Sequence, residues 1–485
     1  MQIDGTEGTL ASEPNSRIVK LRLLLCRWVP AAAIICFLAW CFVSVRPDFS
    51  WDDAEPEILN QAWRLAKGES VYHGIETPPF AYGVYPPLYY GLVAFLLKFT
   101  GLSFIPAKFL SFLAALSIGW ALIRLNKEWN GVRYNGIWSA FFLFLIPAFL
   151  YNATRTHVQM TAVALSIWSL AFFLRNRWTA TVLISPLFAV LALYTKQTQL
   201  ALPLAMVIYL ALRNRRWLLP YISTFVVAGG IPFLLLQKLT DGYFFFNTFE
   251  LARLSYNVLQ IPLIFIHHAG PVLILICIAL PIAWKRFKKG TWDAVDCYLC
   301  CVLATTSFSL GRVGAHGQYV VELLVVVLLF LMRTVNFPAI KGRDALICVQ
   351  ILILFIYAPA FIFVEEGLWD IPANTAASKI YGLMRPDPGP ILSQQGSFAL
   401  FGSGEIFIQL FDFAALSRAG LWDQNLLLRK IEKHTFPYVI TEFDIDNSEL
   451  SENALERFTP EMLQSLRGNY RPLKVVYPYH IYTPR

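Results

Sequence analysis

Charge is scarce in this sequence. Only 15% of its 485 residues are Asp, Glu, Lys or Arg, 56% are apolar, and the mean hydropathy is +0.52. Soluble domains carry about a quarter charged residues, so a water-soluble globule is excluded. Alternating ten-residue segments are missing, which excludes a membrane β-barrel. No internal repeat is present. No cysteine follows Cys348, so no disulfide frames the C-terminal region. A small-residue cleavage site is lacking after the first apolar block, which is therefore expected to stay as a membrane span. The net charge of +8 does not mark a nucleic-acid partner, because the basic residues sit in short loops between apolar blocks. Cys297-x-x-Cys300-Cys301 lies in an apolar segment without a second ligand pair, so no zinc site is expected there.

What is abundant is the apolar block of near twenty residues, the length a helix needs to cross about 30 Å of hydrocarbon. The fold expected is mainly α: a multi-pass bundle with about eleven spans. Residues 1–16 are polar and read as a cytoplasmic disordered tail. Arg17, Lys20, Arg22 and Arg27 precede a first span near 28–45, which puts the N-terminus inside. Leu88–Phe99 is apolar but too short to cross comfortably. Laid on the outer surface, it leaves spans near 104–123, 134–151, 158–174, 179–195, 199–212, 217–237, 268–284, 294–310, 318–332 and 344–364. Every strongly basic turn then falls inside, and the C-terminus outside. The outer face receives a long first loop (46–103) and a region from 365 to 485, where charge returns. There FPYVITEF and PLKVVYPYHIYT read as strands, while LWDQNLLLRKIEKH and ENALERFTPEMLQSL read as amphipathic helices. A small α/β extramembrane unit is expected.

This threading gathers ionisable residues on the outer side: Asp52, Asp53, Lys108, Arg155, His157, Lys196, Arg312, His316 and Glu322. Charge at membrane depth is costly and tends to mark function. Several cations with a few acids, converging on one leaflet, suit an anionic lipid headgroup. Each residue also has a plain structural role open to it. Asp52 and Asp53 stand where they could cap a helix over Ala54–Lys67, Lys108 could snorkel, and Glu322 could pair within the bundle. Asn152-Ala-Thr154 has the form of a glycosylation acceptor but lies tight against a span.

The order of these residues resembles the C-type (GT-C) membrane glycosyltransferases, which include the protein O-mannosyltransferases and the lipid A aminoarabinose transferases. The resemblance rests on Asp52-Asp53, Gly68-Glu69-Ser70-Val71-Tyr72, Tyr85-Pro86-Pro87-Leu88-Tyr89-Tyr90, Thr195-Lys196-Gln197-Thr198 and Gly314-Ala315-x-x-Gln318-Tyr319-x-x-Glu322. It covers roughly residues 20–335, and more loosely the C-terminal region, and no one motif is specific alone. It implies juxtamembrane helices in the first outer loop and transfer of a sugar from a polyprenyl-phosphate donor to a lipid, glycan or protein acceptor. Inversion at the sugar is the family expectation. The resemblance makes Asp52 the general base with Asp53 as its support, and Lys196, Arg312 and Lys108 the binders of the donor phosphate. Tyr85, Arg155, His157, His316, Tyr319 and Glu322 follow as substrate-binding residues. No cofactor is carried over, and no metal is predicted: where many relatives have Asp, this chain has His157. The bacterial inner membrane, with the site on the periplasmic face, is the expected location. A transporter or lipid flippase is the alternative, and a lipid-linked polymer ligase a third reading. A transporter predicts charge spread through the bilayer, discontinuous helices and repeats.

Overall fold

The computed structural model describes residues 48–50, 52–130, 140–251, 256–312, 314–334, 368–386, 388–447 and 450–485, with isolated positions among 35–38 and 350–360. The expected tail 1–16, and nearly all of the expected spans 28–45 and 344–364, lie outside these residues. The first loop carries α1 (Ala54–Ala66) and α2 (Pro87–Thr100). The bundle follows with α3 (Ile105–Asn130), α4 (Pro147–Ala153), α5 (Val158–Phe173), α6 (Ser185–Thr195), α7 (Ala201–Arg213), α8 (Arg215–Leu239), α9 (Gln260–Ala269), α10 (Leu273–Lys288), α11 (Ala294–Leu310) and α12 (Val321–Thr334).

Among the described residues four segments are long and apolar enough to cross a membrane: Ile105–Glu128, Arg215–Leu239, Gln260–Lys288 and Gly317–Thr334. The pair α4 and α5 adds a fifth if its 107° bend is taken within one span. The expected spans 179–195, 199–212 and 294–310 are helical, but α7 has 13 residues and α11 has 17, shorter than a full crossing at about 1.5 Å per residue. The expected span 134–151 is described from 140. It breaks before Pro147, whose ring cannot continue a helix. Leu88–Phe99 is α2, a 14-residue helix that buries Tyr89, Tyr90, Val93 and Leu97 and exposes Leu92, Phe95 and Phe99.

Burial separates the helices by role. In α8 the apolar residues Leu219, Val226, Ile231 and Leu234 are exposed and Tyr221 alone is buried, as a lipid-facing helix requires. In α12 every residue from Val321 to Met332 is buried, so this helix runs through the centre. The ionisable Glu322 stands at its first turn.

The C-terminal region contains α13 (Leu368–Leu383), α14 (Gly396–Ser403), α15 (Leu410–Arg418), α16 (Asn425–Glu432), α17 (Glu452–Arg457) and α18 (Pro460–Asn469). Its sheet is β1 (Leu392–Ser393), β2 (Val439–Thr441), β3 (Tyr470–Val476) and β4 (Tyr479–Pro484) in the order β1-β2-β4-β3, with only β1–β2 parallel. The two expected strand segments become β2 and the β3–β4 hairpin. The segment 452–466 is two helices rather than one. Thr459 accepts the Met462 amide as an N-cap, and Pro460 starts a new helix.

This region does not stand apart from the first loop. Phe80, Tyr82 and Ile75 share one core with Phe413, Trp422 and Phe436. Backbone bonds Phe80 N–Phe407 O (2.8 Å) and Gln409 N–Phe80 O (2.9 Å) stitch the two together. Helix α1 is held between them. Ile58, Leu59 and Ala62 are buried as its periodicity predicts, but so are Asn60, Gln61 and Arg64 on other faces. Asn60 accepts the Ile406 amide at 3.1 Å, and Arg64 donates to the Ala81 carbonyl at 3.2 Å.

Candidate functional site

The site is built on the start of α1 and on the turn where the chain bends between α4 and α5. Asp52 stands one residue before the N-cap of α1, and its Oδ1 accepts the Ala54 amide at 2.9 Å, while Asp53, the N-cap residue, makes no side-chain capping bond. The Oδ2 of Asp52 receives the Tyr151 hydroxyl and His157 Nε2, the latter at 3.2 Å. The other ring nitrogen of His157 faces Gln318 Oε1 at 3.0 Å. Two acceptors oppose two ring nitrogens, an arrangement that an imidazolium satisfies in full. Burial would raise the Asp52 pKa, but the charges of His157 and Arg155 and the Tyr151 hydroxyl outweigh it, and the carboxyl is held well below the usual range.

Three residues on, Glu55 is fully buried. It accepts the Ser50 hydroxyl, the Thr156 amide at 2.7 Å and the Arg155 guanidinium at 3.1 Å, with Lys108 Nζ at 3.8 Å. Burial disfavours its charge, yet Lys108 and Arg155 more than offset this and lower its pKa. Glu55 thus fixes the 154–157 turn that presents His157. Two cations expected at a ligand, Lys108 and Arg155, instead meet a protein carboxylate. Arg155 also stacks on Tyr151 at 4.7 Å and Lys108 on Phe104 at 5.5 Å. Asn152 of the glycosylation-like triplet is 1% exposed and bonds the Ala148 carbonyl, so its amide is shielded.

Lys196 leaves the end of α6 in an extended conformation. Its Nζ donates to Gln159 and lies 4.0 Å from the centre of the Tyr319 ring. Burial lowers its pKa to about 7. Glu322 opposes the shift and Arg312 adds to it. Glu322 accepts the Tyr298 hydroxyl at 2.6 Å. His316 lies further out, its ring 6.3 Å from Tyr151 and 4.9 Å from His268.

Arg312, Gln318 and Tyr319 face a cavity of about 180 Å³. Ala54 and Glu57 of α1, Tyr85 of the first loop, and Gln409, Phe411 and Asp412 of the C-terminal region complete its walls. Of the residues expected at the site, Tyr85, Arg312 and Tyr319 line this cavity. Asp52, His157 and Lys196 are not among its walls: His157, paired with Asp52, bonds Gln318, and Lys196 lies over Tyr319, both in the short 3-10 turn Gly317–Val320. Lys108, Arg155, Glu322 and His316 stand behind or beside it. Asp53 points the other way, to Arg457 of α17.

Four residues escaped the sequence analysis: Glu55, Glu57, Asp412 and Arg457. The acidic run WDDAEPE signalled the first two, since the i, i+3 and i, i+4 spacings of a helix place them beside the aspartates. Nothing local marks Asp412 or Arg457. Burial raises the pKa of Asp412 to about 6, and it raises that of Glu57 further with the help of Asp412. Among the described residues no group of three or more His, Cys, Asp or Glu is arranged to hold a metal ion.

No known family's profile matches the sequence, and no curated protein matches it. The fold does have relatives. ArnT from Cupriavidus metallidurans in the apo state superposes with a TM-score of 0.64 at 14% identity, over 94% of this chain and 97% of that one. The same protein bound to undecaprenyl phosphate gives 0.62 at 13% identity, again over 94% and 97%. The Archaeoglobus fulgidus oligosaccharyltransferase in complex with Zn and sulfate gives 0.51 at 13% identity, over 91% of this chain and 71% of that one. The chain has the fold of the GT-C membrane glycosyltransferases, and the resemblance drawn from its motifs holds at that level.

Proposed function

We propose that this protein is a membrane glycosyltransferase that moves a sugar from a polyprenyl-phosphate carrier to an acceptor hydroxyl or amine on the outer, periplasmic side of the inner membrane. The observation that carries this reading is a cavity lined by Arg312, Gln318 and Tyr319, with the Asp52–His157 pair bonded to Gln318 and Lys196 lying over Tyr319 behind that wall. The fold is shared with a protein whose structure holds undecaprenyl phosphate.

In this mechanism the acceptor atom attacks the anomeric carbon and the bond from that carbon to the phosphate oxygen breaks. The electron pair stays on the phosphate, where Lys196 and Arg312 balance the growing charge. The acceptor's proton passes to Asp52, which is ionised and keeps 14% of its side chain exposed. Attack opposite the leaving phosphate inverts the anomeric configuration. Glu55 has no direct part; it neutralises Lys108 and Arg155 and holds the turn that carries His157.

Among the described residues, the bend between α4 and α5 is a feature that a transporter would share. The test separates the two. Transfer of labelled sugar from a panel of polyprenyl-phosphate donors is measured in membranes for wild type, Asp52→Asn and Lys196→Ala at matched expression. Transfer by wild type, lost in both variants, is the expected result. Donor-dependent movement of lipid across vesicles without transfer would favour the flippase.

A further inference from the structure

The neutral contacts between the first loop and the C-terminal region fix where α1 lies, but none reaches its acids. Ser50 exchanges bonds with Ser397 at 3.2 Å, Asn60 meets the Ile406 amide, and the Tyr82 amide donates to Gln409 at 3.0 Å. Among the described residues one ion pair crosses this boundary, Arg457 with Asp53. Its two side chains are 15% and 34% exposed, so it is partly shielded from water.

Arg457 is itself held in place. It ends α17, whose first turn is capped by Ser451 on the Ala454 amide at 3.3 Å. The carbonyls at the other end, Leu455, Glu456 and Phe458, are all taken by the guanidinium of Arg418 from α15. Those groups would otherwise lack partners at a helix end. Arg457 adds a bond from its Nη1 to the Asn453 carbonyl at 3.1 Å. The guanidinium is thereby presented at a set position against the first turn of α1.

There it meets a concentration of negative charge. Asp53 adjoins Asp52 in sequence, and Asp53, Glu57 and Glu442 all feel the charge of Arg457. We infer that Arg457 is a positioning residue for the Asp52 centre. By binding Asp53 it keeps that carboxylate turned to the C-terminal region, so that Asp52 alone holds Tyr151 and His157. Without Arg457, Asp53 is a second carboxylate one residue from Asp52 with no partner of its own, and it competes for the same donors. The inference rests on the transferase reading only for its effect on rate.

The experiment uses the full chain in nanodiscs with Arg457→Gln, Arg457→Lys, Asp53→Asn and the double variant Asp53→Asn/Arg457→Gln. Hydrogen exchange over residues 52–60 reports the position of the first turn, and sugar transfer with pH profiles reports its consequence. Expected for Arg457→Gln is faster exchange in that segment and transfer reduced at least about tenfold in kcat with little change in KM. Its acid limb moves to higher pH, because Asp53, facing Asp52, Glu57 and Glu442 without its cation, binds a proton more readily. Arg457→Lys restores most of the rate. The double variant returns to the level of Asp53→Asn alone, because a neutral Asn no longer competes; that recovery is not expected of a merely structural contact.

Wild-type exchange in Arg457→Gln would overturn the inference. So would a double variant no better than Arg457→Gln. If wild type transfers no sugar from any donor, the function proposal fails while the exchange data still decide this one. Faster exchange at 52–60 in Arg457→Gln that is reversed in the double variant upholds the positioning role, and its absence refutes it.

Discussion

The two faces of α1 start from the same chemistry and end in opposite environments. Asp52 and Glu55 look toward the bundle, where Tyr151, His157, Arg155 and Lys108 surround them. Asp53 and Glu57 look toward the C-terminal region, where the partners are Arg457 and another acid, Asp412. Burial penalises all four carboxylates. On the bundle side cations more than compensate, and both pKa values fall; on the other side they do not, and both rise. One turn of helix thus sorts a run of acids into a cation-paired set on one side and, on the other, a set in which burial outweighs the nearby cation.

Activity gives the widest separation. Asp52→Asn is expected to lower transfer about 10²- to 10⁴-fold, and Asp53→Asn by no more than about twofold, as kcat in the labelled-donor assay, because a neutral Asn does not compete for the donors of Asp52. Equal losses would mean that the two aspartates act as one unit.

Stability is the next separation. Glu55→Ala leaves Lys108 and Arg155 as buried charges without their carboxylate, and breaking such a set costs about 3–5 kcal/mol. Glu57→Gln removes a repulsion with Asp412 and is expected to leave the melting temperature unchanged or higher. Thermal melts of purified protein in detergent check both. A harmless Glu55→Ala would break the comparison.

Donor binding should depend on pH through Lys196. Its folded pKa of about 7 lies below that of a free lysine, so the charged form that the proposed phosphate contact needs is lost as pH rises through about 7. Affinity for polyprenyl phosphate, measured by calorimetry, is expected to fall by up to about tenfold per pH unit above that point. Lys196→Arg, always charged, should flatten the curve.

The smallest effect concerns Asp412. Its pKa is about 6 in the fold and near 3.9 unfolded, so the folded form binds the extra proton between those pH values. Stability from this group is therefore lost as pH rises through that window. Asp412→Asn should melt a few degrees above wild type at pH 7.5 and together with it below about pH 4.

Part of the fold was legible beforehand. The long apolar helices follow from hydropathy and the strand segments near 439 and 479 from their alternation, while Asp52, His157, Lys196 and Arg312 were legible as ionisable residues but not by the partners each one meets. Lys108 was legible as a charge but not as a partner of Glu55, because the sequence does not reveal which of several nearby ions will pair. The 452–466 segment read as one helix, since amphipathic spacing continues across Phe458-Thr459 and the cap on Met462 is a local hydrogen bond that periodicity does not register.

By itself the sequence determined the solvent: long apolar runs with little charge have no stable place in water, and a helix in lipid must satisfy its backbone within itself. It also determined which side chains carry charge near the membrane boundary. Only the tertiary structure decided what each charge does. Asp53 meets Arg457 across 404 residues of chain, and Arg155 meets Glu55 across 100. A buried charge is governed by the partner nearest in space, and packing chooses that partner.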